Sequence, residues 1–231
     1  MNWVTVLFVI LPYVAVTLCI GLTAYRAAWR PSTLSSQSSQ LLESSRLYWG
    51  SVAFHWGIVI TLTGHLLAIV VPWVFQIWNG SPLRLYLLEA TGFAFGLWTL
   101  LGLAVLVWRR LSVARVRVVT SRMDVVVLAL LALSVVTGLT TALLYRYGSF
   151  WFTGVATPYI WSLATLRPRP ELVADLPIVI KLHIVNFFLL LAVFPFSRLV
   201  HLITLPLGYL YRPWQLVIWN RRPTSSTQIR R

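Results

Sequence analysis

SVAFHWGIVITLTGHLLAIVV, residues 51–71, runs for 21 residues without an Asp, Glu, Lys or Arg. As a helix rising 1.5 Å per residue it would be about 32 Å long, enough to cross the roughly 30 Å hydrocarbon core of a bilayer. It nevertheless carries two histidines, His55 and His65, ten residues apart. Ionisable side chains at that depth are costly and usually mark a site.

The rest of the chain repeats the apolar pattern. Of 231 residues, 58% are hydrophobic and only 10% are charged, against about 25% charged in a soluble domain. The runs do not alternate in the ten-residue segments of a membrane barrel. The fold class is therefore all-α: a polytopic membrane protein with five transmembrane helices, at about residues 3–25, 48–71, 85–107, 124–145 and 178–204. The first run lacks the basic leading residues and small-residue cleavage site of a signal peptide, so it reads as a retained anchor, with Pro12 bending it. Between the fourth and fifth spans, WFTGVATPYIWSLATL (residues 151–166) is too apolar for a plain linker and predicts a short interfacial helix on the outer surface.

Nineteen basic residues against five acidic ones give a net charge of +14. The arginines lie between apolar runs, which favours membrane topology over nucleic-acid binding. Thirteen of them fall in segments 26–47, 108–123 and 205–231, which five spans place on one side; Arg84, Arg146, Arg167, Arg169 and Lys181 fall on the other. The excess predicts an outside N-terminus and a cytoplasmic C-terminus. The single cysteine, Cys19, excludes a disulfide within the chain.

All four histidines lie on two spans: His55 and His65 on the second, His183 and His201 on the fifth. Those spans run antiparallel, which pairs His55 with His201 near the cytoplasmic side and His65 with His183 near the outside. The rises are unequal, about 15 Å against about 27 Å, so tilted haem planes and helix tilt must absorb the difference, together with a bend at Pro195 in the fifth span. On an unbroken helix, eighteen residues make five whole turns and put His183 and His201 on one face. Two imidazoles facing across helices can hold one haem iron axially, and bundles build cofactor sites this way. Gly57 and Gly64 would admit a flat macrocycle to the backbone, or simply pack helices. Arg198 and, from the third-to-fourth loop, Arg115 and Arg117 are placed to meet haem propionates. Three other readings remain open. Each histidine could be hydrogen-bonded to a neighbour. A proton relay would recruit acids, and Glu89 and Asp124 lie at span ends. Zinc would need three or four ligands at one level.

FHWGIVITLTGH (54–65), WRRLSVARVRVVTSRMD (108–124) and KLHIVNFFLLLAVFPFSRLVHL (181–202) resemble the gamma subunit of respiratory nitrate reductase, over about residues 5–217. The resemblance implies a membrane cytochrome b domain over residues 1–217, in a prokaryotic inner membrane. The tail, 205–231, mixes Arg with Trp and Tyr, as an interface does, and is expected to dock partner subunits or to lie on anionic lipid. It implies two b haems, the inner held by His55 and His201 and the outer by His65 and His183. Quinol, menaquinol or ubiquinol, would be oxidised near the outer haem beside Gly64, His65 and Arg84. Electrons would pass to an iron–sulfur subunit and then to a molybdenum catalytic subunit. A membrane subunit of a related quinone-linked oxidoreductase, acting on sulfur compounds or selenate, and a haem-free anchor or transporter stand as alternatives.

Overall fold

A computed structural model describes residues 2–30 and 44–202. Among these residues there is no β-strand. Five helices are long and apolar enough to cross a membrane: α1 (Trp3–Trp29), α2 (Ser45–Val70), α4 (Pro82–Ser112), α6 (Arg122–Leu144) and α9 (Ile178–Phe196). Between them lie α3 (Pro72–Asn79), α5 (Ala114–Val118), α7 (residues 148–164) and α8 (Glu171–Ala174). The polar stretch after the first span and the proposed docking tail lie outside the described residues.

Residue chemistry sets the boundaries. Ser121 and Asp124 form a reciprocal capping box that starts α6, satisfying two of the backbone donors a helix start leaves open. Pro72 and Pro82 each stand in the first turn of a new helix, where the missing N–H is not needed. Large apolar side chains such as Ile20, Leu66, Leu101 and Leu143 point outward, as in a bundle solvated by lipid.

The bundle packs in the order α2, α4, α6, α9, α1. The α2–α4 crossing is the tightest. A Cβ on Gly102 would fall 2.3 Å from the Phe54 nitrogen and 2.8 Å from the Gly50 oxygen. Only glycine permits that approach, as at other membrane helix crossings. By contrast, α2, which carries His55 and His65, does not pack closely against α9, which carries His183.

Residues 148–164 depart from the expected surface helix. Tyr159 is buried with Phe8, Ala15, Leu163, Val173 and Phe188 in one core cluster. The cause is a hydrogen-bonding demand. Pro12 has no N–H for the carbonyl of Phe8 four residues earlier, and the Tyr159 hydroxyl donates to that carbonyl at 2.9 Å. Pro72 likewise has none for Ala68, and the Thr157 hydroxyl donates there at 3.1 Å. Beside it the Trp161 indole donates to Ile69 O at 2.9 Å. An unpaired carbonyl in hydrocarbon is costly, so α7 is drawn inward to serve two proline-freed positions.

The fifth span also differs from the expected 178–204. It tightens into a 3-10 turn at Phe194–Phe196, and Ser197 is extended at φ −109° and ψ 173°. A separate 3-10 turn, Arg198–Leu202, follows. The Ser197 hydroxyl donates to Phe194 O at 2.9 Å and accepts from Leu199 N at 3.1 Å, stitching the break. Arg26 donates to Pro195 O beside it. The five-turn arithmetic between His183 and His201 therefore does not apply, and a break, not tilt alone, meets the unequal spacing.

Candidate functional site: two histidine levels between α2 and α9

Every histidine is held through Nδ1. In α2 the His55 Nδ1 lies 2.8 Å from Ser51 O, and the His65 Nδ1 lies 2.8 Å from Thr61 O. The His201 Nδ1 lies 2.6 Å from Arg198 O. A carbonyl can only accept, so each Nδ1 donates. His183 differs in detail: its Nδ1 lies 2.9 Å from the Thr137 hydroxyl of α6. That hydroxyl already donates to Leu133 O at 2.6 Å, so it accepts from His183. All four rings thereby carry a proton on Nδ1, and Nε2 is the nitrogen that a neutral ring would offer to a metal. This is the arrangement that orients a metal-ligating imidazole and raises its basicity.

The rings gather in twos. Among the described residues no cluster of three or more His, Cys, Asp or Glu side chains occurs. At the end of the bundle rich in arginine, the His55 and His201 ring centres are 6.0 Å apart, with planes at 66°. Two imidazoles on opposite sides of one iron would put their ring centres about 6 Å apart, with each metal–nitrogen bond about 2 Å. The donor chemistry and the spacing thus fit an axial pair. At the opposite end His65 and His183 lie within electrostatic range of each other. The His65 ring meets Phe152 edge-on at 5.3 Å, so α7 borders this level. His55, His65 and His201 are exposed at the protein surface, a costly state for an imidazole at membrane depth unless something else contacts it.

The other expected residues divide. Nothing lies within 4 Å of a Cβ built on Gly64, whose open side adjoins the His65 level. Gly57 serves helix packing instead of a macrocycle: its Cβ would fall 2.3 Å from Thr99 Oγ1 and 2.9 Å from Phe95 O of α4. Arg198 turns to Asp124, with Nε 2.9 Å from Oδ1. Arg115 and Arg117 are exposed on α5. Arg84 is folded back on α3. Its guanidinium donates to Trp78 O at 3.1 Å and Ile77 O at 3.3 Å, and the Trp78 indole returns a bond to Arg84 O at 3.0 Å. It thus closes the end of α3 as an anchoring side chain would.

Two residues at the site were not anticipated from the sequence. Thr137 supplies the His183 acceptor, and its neighbour Gly138 clears the ring: a Cβ there would sit 3.2 Å from His183 Cε1. A Thr-Gly pair at helical midspan is a signal, but one that needs the α6–α9 pairing to be interpreted.

Comparison with known proteins adds a family. The sequence model described as nitrate reductase gamma subunit matches residues 4–220. The nitrate reductase gamma chain of Bacillus subtilis (strain 168) is 31% identical over 220 residues, covering 94% of this chain and 98% of that one. The respiratory nitrate reductase 1 gamma chain of Escherichia coli (strain K12) is 30% identical over 215 residues, covering 91% and 95%. The nitrate reductase-like protein NarX of Mycobacterium tuberculosis is 32% identical over 238 residues, covering 96% of this chain and 35% of that longer protein.

Proposed function

The chain belongs to the nitrate reductase gamma subunit family, and we propose that it is the membrane cytochrome b subunit of a quinol-oxidising nitrate reductase complex. Two b haems, bound one at each histidine level, supply one-electron carriers between quinol and the partner subunits. The partners are an iron–sulfur subunit and a molybdenum catalytic subunit, both separate chains. The observation that supports this reading is the set of four imidazoles each donating through Nδ1, with the His55 and His201 rings 6.0 Å apart, on α2 and on a fifth span that does not pack closely against it.

In this reading His55 and His201 hold the haem at the arginine-rich end, which the positive-inside rule makes cytoplasmic. His65 and His183 hold the other, nearer the outside. The carbonyls of Ser51, Thr61 and Arg198 and the Thr137 hydroxyl keep each Nε2 aimed. Quinol binds beside Gly64 and His65, where the backbone is open, and loses two electrons and two protons. The protons leave on the outer side, so turnover contributes to a proton-motive force. Arg84, which holds the end of α3 through Trp78 and Ile77, contributes a fixed positive charge to the quinol site.

The test is reduction of the native complex by a menaquinol analogue. Quinol should reduce b haem in the wild type. In His65→Ala quinol should fail, while dithionite still reduces the remaining haem. Haem that quinol cannot reduce in the wild type would refute the quinol-oxidising role.

A further inference from the structure

Asp124 does more than begin α6. Its side chain is 8% exposed and meets three partners, Ser121 of its own helix cap, Arg110 of α4 and Arg198 of the turn after α9. Oδ2 accepts from Ser121 N at 3.0 Å and from Arg110 Nη1 of α4 at 3.1 Å. Oδ1 accepts from Arg198 Nε at 2.9 Å, and the Asp124 backbone N–H donates to the Ser121 hydroxyl at 3.1 Å. Arg198 is the first residue after the Ser197 break, and its own carbonyl accepts from His201 Nδ1 at 2.6 Å. The same arginine reaches Val119 O at 3.5 Å.

We infer that Asp124 is a positioning residue for His201, acting through Arg198. The inference rests on the reading of His55 and His201 as an axial pair. The 3-10 turn Arg198–Leu202 is separated from α9 by an extended residue. An unbroken helix therefore does not fix its orientation. The Ser197 hydroxyl ties Leu199 N to Phe194 O, and the Asp124 carboxylate sets the Arg198 end: it ties the Arg198 side chain to the capped start of α6, the Arg198 backbone follows, and the carbonyl aims the ring. Charge-assisted pairs of this kind are short and directional, and a ligand's outer partners set both affinity and orientation. The Arg110 contact holds the carboxylate from its far side, so its position is set by two spans.

The experiment uses the native complex and low-spin haem electron paramagnetic resonance, whose g-values report the angle between the two axial imidazole planes. The wild type should show two distinct low-spin b haems; their absence would overturn the haem reading itself. With two signals present, Asp124→Asn tests the positioning alone. It should move the g-values of the haem lost in His55→Ala, leave those of the other haem unchanged, and weaken haem retention at the affected level about 10–100-fold. Asp124→Glu, which keeps the charge and the capping-box chemistry, should restore the wild-type signal. Arg198→Gln keeps the backbone carbonyl but loses the ion pair, and should reproduce the Asp124→Asn shift if that variant does not assemble. Unmoved g-values, or equal shifts of both haems, would overturn the assignment.

Discussion

The His183 ring of α9 donates to the Thr137 hydroxyl of α6 across 2.9 Å, joining the fourth and fifth spans at the level of His65. This bond fixes the His183 tautomer. Thr137→Val keeps the shape but removes the acceptor. Haem retention at the His65–His183 level should fall about 10–100-fold while the other level is unaffected. Haem content and the separate reduced spectra of the variant check this; equal loss at both levels would point to a fold defect.

The pairing itself is tested by His65→Ala. One haem should be lost and one retained, and the retained haem should disappear in His55→Ala and His201→Ala but not in His183→Ala. Loss of the same haem in His65→Ala and His201→Ala would mean that the levels are wrongly matched.

Two glycines on one helix should respond oppositely. A methyl at Gly57 would meet Thr99 and the α4 backbone, so Gly57→Ala should destabilise the bundle by about 1–3 kcal/mol, the scale of overpacking a close-packed interior. A methyl at Gly64 meets nothing within 4 Å, so Gly64→Ala should keep the wild-type melting temperature in detergent and act on quinol turnover or outer-haem content. Thermal unfolding alongside haem content separates the two.

Arg84→Ala should open the end of α3 by removing its bonds to Ile77 and Trp78. Both haem signals should persist, and the KM for quinol should rise. Unchanged quinol kinetics would restrict Arg84 to anchoring.

Tyr159→Phe isolates the internal role of α7. It removes the donor to Phe8 O and leaves a buried carbonyl that Pro12 cannot serve. The expected loss is about 1–3 kcal/mol, the penalty for an unsatisfied buried polar group. The melting temperature in detergent reads it directly.

The five spans were legible in the sequence because hydropathy alone decides whether a segment enters hydrocarbon. The four histidines were legible because each stands out in an apolar run. The break at Ser197 was not. Pro195 signals a bend, but the composition around it continues the helix, and the stop depends on the Ser197 hydroxyl bonding Phe194 O and Leu199 N and on Arg26 from α1. Nor was the burial of α7, because the carbonyls that draw it in are freed by Pro12 and Pro72, far away in sequence. The i−4 carbonyl partners of His55 and His65 follow from helix geometry and could have been read. Thr137 could not, since it reaches His183 only through the packing of α6 on α9.

The most direct measurement is haem per polypeptide on the purified membrane chain, with a reduced-minus-oxidised spectrum. The account predicts two b-type haems for each chain, spectrally distinct. A folded preparation, made with ample haem supply, that holds none would contradict it.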